Sequence, residues 1–540
     1  VFPDILGRVC TRPCESECRH GEPGLGESVA ICTSKRASGD HRPGEEMVTL
    51  SELFPESGKR VAVVGGGVAG MTCARELSRR GHRVTLHEEA AALGGMALLA
   101  IPAFRLPRDV VHREAGQAVV SDDIEVKCNN SIRDTHALKG LSEAFDAVVM
   151  ATGAQVPRQC GCAGEDLPQV IPGLDFLLRA NRGEVGNLGK HVVVIGGGFT
   201  AVDCARVALR HGAESVNLIY RREREHMALT PGEYEELIDE GATTTFKVAP
   251  SAFLPHEGGR ILAQFSRTRS EGPSGSALAV EPGIAMEVVA DAVIVAVGQS
   301  PDTAWIQEVC SDQSDSAPGA TAFETRCGGN VFLAGDCATG PRSLIEAIAH
   351  ARCCVADVDH FLCGERRTDE ALKIVSGRDE SRTRNMDALP RHALPTLPVD
   401  QRVLDSEVET GFAPTDASSE ASRCYLCHYK YEIDTDACIY CDLCCKVKPR
   451  ENCIVKAAAF QRDPVGAIES WTPKRDDYDP EHQFEYHINS ADCIRCNACL
   501  EVCPVSCISV QKVSLEAQCE ASRLVAEHPN PISDATEGQG

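Results

Sequence analysis

"RVAVVGGGVAGMTCARELSRRGHRVTLHE", residues 60 to 88, decides how the rest of the chain is read. A short apolar run, Val61 to Val64, leads into Gly65-x-Gly67-x-x-Gly70. A helical pattern follows to Arg80, and a second apolar run ends at Glu88. The glycines allow a tight turn and a close approach of backbone N–H groups to a pyrophosphate at the helix N-terminus. An acid closing the second strand can take a ribose hydroxyl pair. A Gly-rich turn in another α/β domain would give the loop alone. The complete strand–loop–helix–strand unit with its terminal Glu favours a dinucleotide site.

A second unit, "HVVVIGGGFTAVDCARVALRHGAESVNLIYRRERE", runs from residue 191 to 225. Its loop is Gly196-x-Gly198-x-x-Ala201, and its second strand ends in Tyr220-Arg221-Arg222 instead of an acid. Paired guanidiniums attract a 2′-phosphate and grip it bidentately, whereas a carboxylate would repel it. NADP is therefore preferred over NAD, the alternative being a solvated basic patch on an NAD site.

Further apolar strands end in "FDAVVMATGA" (Thr152, Gly153), "ADAVIVAVGQSPD" (Gly298) and "NVFLAGDC" (Gly335-Asp336), the last followed by a turn at Gly340-Pro341 and a helix from about Ser343. Asp336 is placed to hold a ribityl hydroxyl. The strands on both sides of the second loop imply an FAD domain interrupted by an NADP domain. The expected fold class is α/β, with two Rossmann-like dinucleotide-binding domains, a helical iron–sulfur segment before them and an α+β ferredoxin-like domain after them. The expected divisions are a helical iron–sulfur segment at 1–50, FAD-binding parts at 51–157 and 298–365 and an NAD(P)H-binding domain at 158–297. A surface linker (366–420), a ferredoxin-like domain (421–520) and a disordered tail (521–540) complete the chain.

The chain has 540 residues, a formal net charge of −25 and 28 cysteines. The charge argues against nucleic acid and anionic membranes as partners. Thirteen cysteines lie between Cys424 and Cys519, and three more open the chain at Cys10, Cys14 and Cys18. Disulfide scaffolds of that density belong to short secreted chains, so the clusters read as iron–sulfur or metal ligands in a reducing compartment, with a cytoplasmic location expected. No stretch approaches the ~20 apolar residues of a membrane span. The chain opens on Val1, in mid-motif.

"CIYCDLCCKVKPRENC" (438–453) begins with the C-x₂-C-x₂-C spacing of a bacterial ferredoxin, at Cys438, Cys441 and Cys444, but carries Lys448-Pro449 where a fourth cysteine would stand. A second run, "CIRCNACLEVCP", supplies Cys493, Cys496, Cys499 and Cys503 without a fault. Because the fourth cysteine of each run ligates the other cluster, one site is Cys438, Cys441, Cys444 and Cys503. The other is Cys493, Cys496, Cys499 and a substitute for Lys448, whose ammonium has no lone pair for iron. Cys453 is the expected substitute. A three-iron or empty second site, with Cys453 merely buried, is the competing reading. Cys445, Cys507 and Cys519 stay unassigned, and Cys424-x₂-Cys427-His428 could join a further cluster, bind zinc or be inert.

"GGMALLAIPAFRLP" (94–107), "GGGFTAVDCARVALRHGA", "YRRERE", "AVGQSPD" and "GDCATGPRSLIEAIA" resemble the glutamate synthase small-subunit family over about residues 1 to 365. That family includes the amino-terminal half of dihydropyrimidine dehydrogenase and the large subunit of NADH-dependent ferredoxin:NADP oxidoreductase. The resemblance implies FAD at Gly65, Gly67, Gly70, Glu88, Gly95, Met96, Arg105, Thr152, Gly153, Gly335, Asp336 and Leu344. It implies NAD(P)H at Gly196, Gly197, Gly198, Thr200, Arg221, Arg222 and Gly298. Hydride transfer would occur at the flavin, with no side-chain catalyst. Cys10, Cys14 and Cys18 match three ligands of the family's helical iron–sulfur domain, with Cys32 proposed as the fourth and a buried free cysteine as the alternative. Cys160-Gly-Cys162 has the wrong spacing for the redox pair of thioredoxin-reductase relatives.

The cofactors implied are FAD, NADP (or NAD) and three [4Fe–4S] clusters. The expected function is an NAD(P)H oxidoreductase subunit that passes electrons to or from other redox subunits of a larger complex, or a soluble ferredoxin. A flavin-based electron-bifurcating subunit and a non-catalytic electron-wiring scaffold are the alternatives.

Overall fold

A computed structural model describes residues 2–22, 26–42, 52–271, 277–311, 325–367, 370–376, 389–462, 468–473 and 485–517. Cys519 and the tail at 521–540 lie outside the described residues. The chain divides into two compact units, one of residues 1–12, 35–367 and 394–412, the other of residues 13–34, 368–393 and 413–540.

The first unit holds two parallel sheets. One has six strands in the order Arg326–Gly328, Val331–Leu333, Ala147–Met150, Arg60–Val64, Arg83–His87, Ile124–Lys127. All its neighbours are parallel except the hairpin-like pair at the Arg326 edge. The central strands are buried along nearly their whole length, as both-face covering of a parallel sheet demands, and this is why they read as unbroken Val runs. The second sheet is wholly parallel, with the order Val170–Pro172, Ala292–Val295, His191–Ile195, Ser215–Tyr220, Thr243–Phe246. The chain leaves the first sheet after Met150 and rejoins it at Arg326. Its outgoing and returning segments pair with each other, Val156–Pro157 against Gln299–Ser300. An antiparallel sheet built on Ile261–Glu271 flanks the second domain.

Cys310 and Cys327 form a disulfide across a Cα separation of 5.6 Å, tying helix Ala304–Ser311 to the edge strand. The sequence reading, centred on ligand clusters, did not single it out.

The second unit contains two three-stranded antiparallel sheets, Glu370–Ser376/Ile508–Ala517/Tyr429–Ile433 and Ile468–Pro473/Ile454–Arg462/Glu485–Ile488. Residues 370–376 fall in the stretch read as linker, yet they pair as a strand with 511–517. Short helices Leu443–Val447 and Ala498–Val502 follow the two cysteine loops. Among the described residues no helix is long and apolar enough to cross a membrane.

Candidate nucleotide and iron–sulfur sites

Strand Arg60–Val64 delivers the first glycine loop to the mouth of a cavity of about 420 Å³. Gly65, Gly67, Glu88, Gly95, Met96, Thr152, Gly153, Asp336 and Leu344 all line it. Gly70 does not, but a Cβ there would stand 1.8 Å from the Gly65 carbonyl oxygen, so the turn closes only with glycine. A Cβ on Gly95 would stand 2.7 Å from the Gly67 Cα; the groove wall here is bare backbone, as a diphosphate needs. Glu88 accepts the Gly66 N–H at 2.5 Å and the Ala90 N–H at 2.7 Å, which fixes its carboxylate at the cavity rim.

Asp336 follows Gly335, whose N–H donates to His350 Nδ1 at 3.1 Å. Burial pushes the Asp336 carboxyl up to about 6, against the opposing N–H of Arg342 at 3.2 Å, with Glu346 adding to the rise. The 20-residue helix Leu344–Cys363 starts here on a capping box between Ser343 and Glu346, and Leu344 and Ala347 of its first turn line the cavity. Asn130, Gln155, Arg133 and Arg182 line it as well; no sequence motif carries them. A glycine-walled cradle, a fixed ribose acceptor and a helix N-terminus together fit a flavin dinucleotide.

Arg105, expected to hold FAD, is not among the residues lining the cavity; it donates to both oxygens of Asp203 at 2.9 and 3.0 Å and to Glu233 at 2.5 Å. Burial would lower its pKa, but Asp203 and Glu233 hold it above the ordinary value, so it stays charged as a partly buried tie between the two domains of this unit.

In the second domain Gly198 caps helix Phe199–Arg210, Gly197 lies under the Tyr220 ring, and Thr200 Oγ1 accepts from Gln299 at 3.4 Å. Gly298 has φ +112° and its carbonyl accepts the Arg158 N–H at 3.0 Å. Strands His191–Ile195 and Ser215–Tyr220 are parallel neighbours, so the loop at Gly196 and the pair Arg221–Arg222 leave the same sheet edge. Arg221 and Arg222 border a cavity of about 230 Å³ with Lys247 and Arg269, beside Glu223, which pairs with Lys247. Cys160 and Cys162 are poor thiolates. Burial and Glu165 push their thiols up to about 12 and about 11.

In the second unit the cysteines gather round two small cavities. Cys453, Cys493, Cys496 and Cys499 line one, together with Lys448. The Lys448 ammonium donates to the carbonyls of Glu451 and, at 3.1 Å, Ile454, and so holds the bulge that brings Cys453 inward. Cys438, Cys441, Cys444 and Cys503 line the other, with Cys507 beside them. The two loops share one backbone form. Tyr440 and Arg495 have φ 54° and 56°, and Asp442 and Asn497 both have φ 61°. Groups of four or more thiols converging on one small cavity fit iron–sulfur clusters.

The loops differ in exposure. Ile439 is 58% exposed against 3% for its counterpart Ile494, and Cys441 is exposed where Cys496 is buried. Arg19 reaches the carbonyl of Cys493 at 3.2 Å, on the enclosed side. Cys424 accepts the Leu426 N–H at 3.4 Å as Cys438 accepts that of Tyr440, and Leu426 has φ 52°. The Cys424–Cys427 loop thus has the shape of a ligand loop. Cys14, Cys18 and Cys32 belong to this unit and Cys10 to the other. The Cys32 N–H donates to Glu15 at 2.8 Å.

Among the described residues, the ligand-type atoms of His82, Asp359 and Cys363 converge within 4.8 Å. Arg80 and Arg367 already surround Asp359, and this is an ion-pair network. Burial alone would raise the Asp359 carboxyl, but His82 and the two arginines hold it down to about 2.

Two parallel dinucleotide sheets, one with a flavin-shaped cavity, and a cysteine-rich α+β unit define a nicotinamide- and flavin-dependent oxidoreductase with an iron–sulfur domain. Residues 59–351 match the family described as pyridine nucleotide-disulphide oxidoreductase, and residues 486–509 match the 4Fe-4S binding domain. The chain belongs to the pyridine nucleotide-disulphide oxidoreductase family. It is 34% identical over 461 residues to the NADP(+)-dependent formate dehydrogenase subunit beta of Moorella thermoacetica, covering 78% of this chain and 65% of that subunit. It is 30% identical over 478 residues to the NADPH-Fe(3+) oxidoreductase subunit beta of Geobacter sulfurreducens strain DL-1 / KN400, covering 79% and 70%. It is also 30% identical over 380 residues to the glutamate synthase [NADPH] small chain of Escherichia coli K12, covering 65% and 79%. The chain therefore spans less than two thirds of the Moorella subunit.

Proposed function

We propose that this chain is the NAD(P)H-handling electron-transfer subunit of a larger redox assembly, carrying FAD and [4Fe–4S] clusters. The observation that carries the reading is the joint presence on one chain of a flavin-shaped cavity and two cavities each lined by at least four thiols. A bound flavin accepts two electrons as hydride and releases them singly, and each cluster carries one. The residues of this chain bind and orient. Glu88 would take the ribose, the Gly65–Gly70 turn and Gly95 would admit the diphosphate, Asp336 would hold a ribityl hydroxyl, and the helix starting at Leu344 would face the flavin ring. Arg221 and Arg222, with Lys247 and Arg269 at the same cavity against the one acid Glu223, favour NADPH over NADH, since a net excess of cations suits a 2′-phosphate.

Cys453, Cys493, Cys496 and Cys499 would hold an inner cluster, and Cys438, Cys441, Cys444 and Cys503 an outer one, with Cys453 as the moved ligand. A third cluster would take Cys10, Cys14 and Cys18, which rest on the sequence resemblance, with Cys32 as the proposed fourth ligand. The exposed apolar side chains Ile439, Tyr440, Leu443 and Val505 beside the outer cavity make that cluster the exchange point with a partner. Two relatives are named as subunits beta, which supports terminal chemistry residing on another chain. The expected location is the cytoplasm.

The test is anaerobic stopped-flow mixing of the reconstituted protein with NADPH and with NADH, followed by EPR of the frozen products. Flavin bleaching by NADPH, then reduced-cluster signals, is the expected result. Cluster reduction with no flavin bleaching would leave a wiring scaffold instead.

A further inference from the structure

We infer that Cys507 is a second ligand-competent thiol of the outer cavity, interchangeable with Cys503 as the fourth iron ligand. The inference rests on the reading above, that this cavity takes a [4Fe–4S] cluster. Such a cluster takes four cysteines, and five line the cavity: Cys438, Cys441, Cys444, Cys503 and Cys507. Cys507 is 8% exposed, and its Sγ lies 3.5 Å from that of Cys503. The two sulfurs touch, so they face one corner of a cluster and not two. The inner cavity has no such surplus among its lining residues.

The internal symmetry of the unit says why the surplus thiol stands there. Cys453 immediately precedes strand Ile454–Arg462, and Cys507 immediately precedes strand Ile508–Ala517. The first isoleucine of each strand is buried and edges its cavity. A tyrosine closes each site in the same way, Tyr431 donating to Asn497 and Tyr486 to Asp442. Cys507 is therefore the counterpart of Cys453. In one half Lys448 occupies the regular ligand place, turns its ammonium onto carbonyls, and leaves the pre-strand thiol alone at the cavity. In the other half the regular ligand, Cys503, and the pre-strand thiol are both present. Exchange breaks one iron–sulfur bond to Cys503 and makes one to Cys507. The proton lost by the entering thiol goes to the leaving thiolate, and no electron is transferred.

The experiment uses the full chain, reconstituted anaerobically, as Cys503→Ala, Cys507→Ala and the double variant, with Cys441→Ala as control. The readouts are iron and sulfide per chain and EPR of oxidised and reduced samples; flavin content reports folding. Both single variants should keep the wild-type iron content, Cys503→Ala with a shifted reduced-cluster spectrum. The double variant should lose iron or show a three-iron signal when oxidised. Iron loss in Cys503→Ala equal to that of the double variant overturns the proposal, as does loss in Cys507→Ala with Cys503→Ala silent, or a double variant that keeps its iron. Full iron in Cys441→Ala would instead refute the cluster reading of the cavity itself.

Discussion

Asp336→Asn separates what the flavin cavity does for binding from what it costs the fold. Burial is the main reason the carboxyl sits near 6 instead of the ordinary 3.8. That gap corresponds to about 3 kcal/mol against the ionised form in the folded state, an upper bound because the cavity mouth admits screening water. The folded protein holds this proton more tightly than the unfolded chain does. The group therefore costs nothing below about pH 4, costs progressively more from pH 4 to 6, and exacts its full penalty above 6. Asparagine keeps the shape, can still accept the Arg342 N–H, and never ionises. In flavin-free protein the first thermal transition of Asp336→Asn should rise by a few degrees at pH 8 and stay unchanged at pH 4. FAD affinity should move the other way, falling about 10- to 100-fold with the loss of a charge-assisted hydrogen bond worth ~1.5–3 kcal/mol. Calorimetry at the two pH values and fluorescence titration with FAD measure both arms. An equal change at both pH values, or a lower midpoint at pH 8, would refute the reasoning.

Replacing Cys453 by Ser should reduce iron per chain or convert the inner cluster to a three-iron form, visible by EPR of the oxidised protein; an unchanged spectrum excludes it as a ligand. Arg221→Ala and Arg222→Ala should each raise KM for NADPH by about tenfold or more, from ~1.5–3 kcal/mol per charged contact, and leave NADH kinetics alone. Equal losses for both nucleotides would place these arginines outside the 2′-phosphate site. Glu88→Ala strands two rim N–H groups, so about 1–3 kcal/mol of stability should go with most of the FAD affinity; Glu88→Gln, measured beside it by urea unfolding, should lose less.

Much of this was legible because strong local patterns answer to local physics. The Val61–Val64 run is a parallel strand covered on both faces, and Gly70 is demanded by the carbonyl of Gly65. The capping box at Ser343 stands where the helix signal put it. What stayed hidden depends on residues far apart. Arg105 sits inside a flavin-associated motif, but Asp203 and Glu233 meet it only once two domains are packed, and a partly buried guanidinium follows its carboxylates. Residues 370–376 read as linker until strand Ile508–Ala517 offers an edge. Asn130 and Arg182 line the flavin cavity from loops without a motif. Cys507 looked surplus because its significance lies in a symmetry between two halves, which spacing along the chain does not express.

The contrast between the open loop at Cys438–Cys444 and the enclosed one at Cys493–Cys499 sets an order of failure. Dioxygen meets Cys441 before it meets Cys496, so an aerated sample should decay from the outside inward. Such a preparation would go on oxidising nicotinamide and reducing small dyes while its delivery to a protein partner had already stopped. On the function proposed above, the exposed loop would fail first and the enclosed one last, and fresh iron and sulfide should restore the lost cluster.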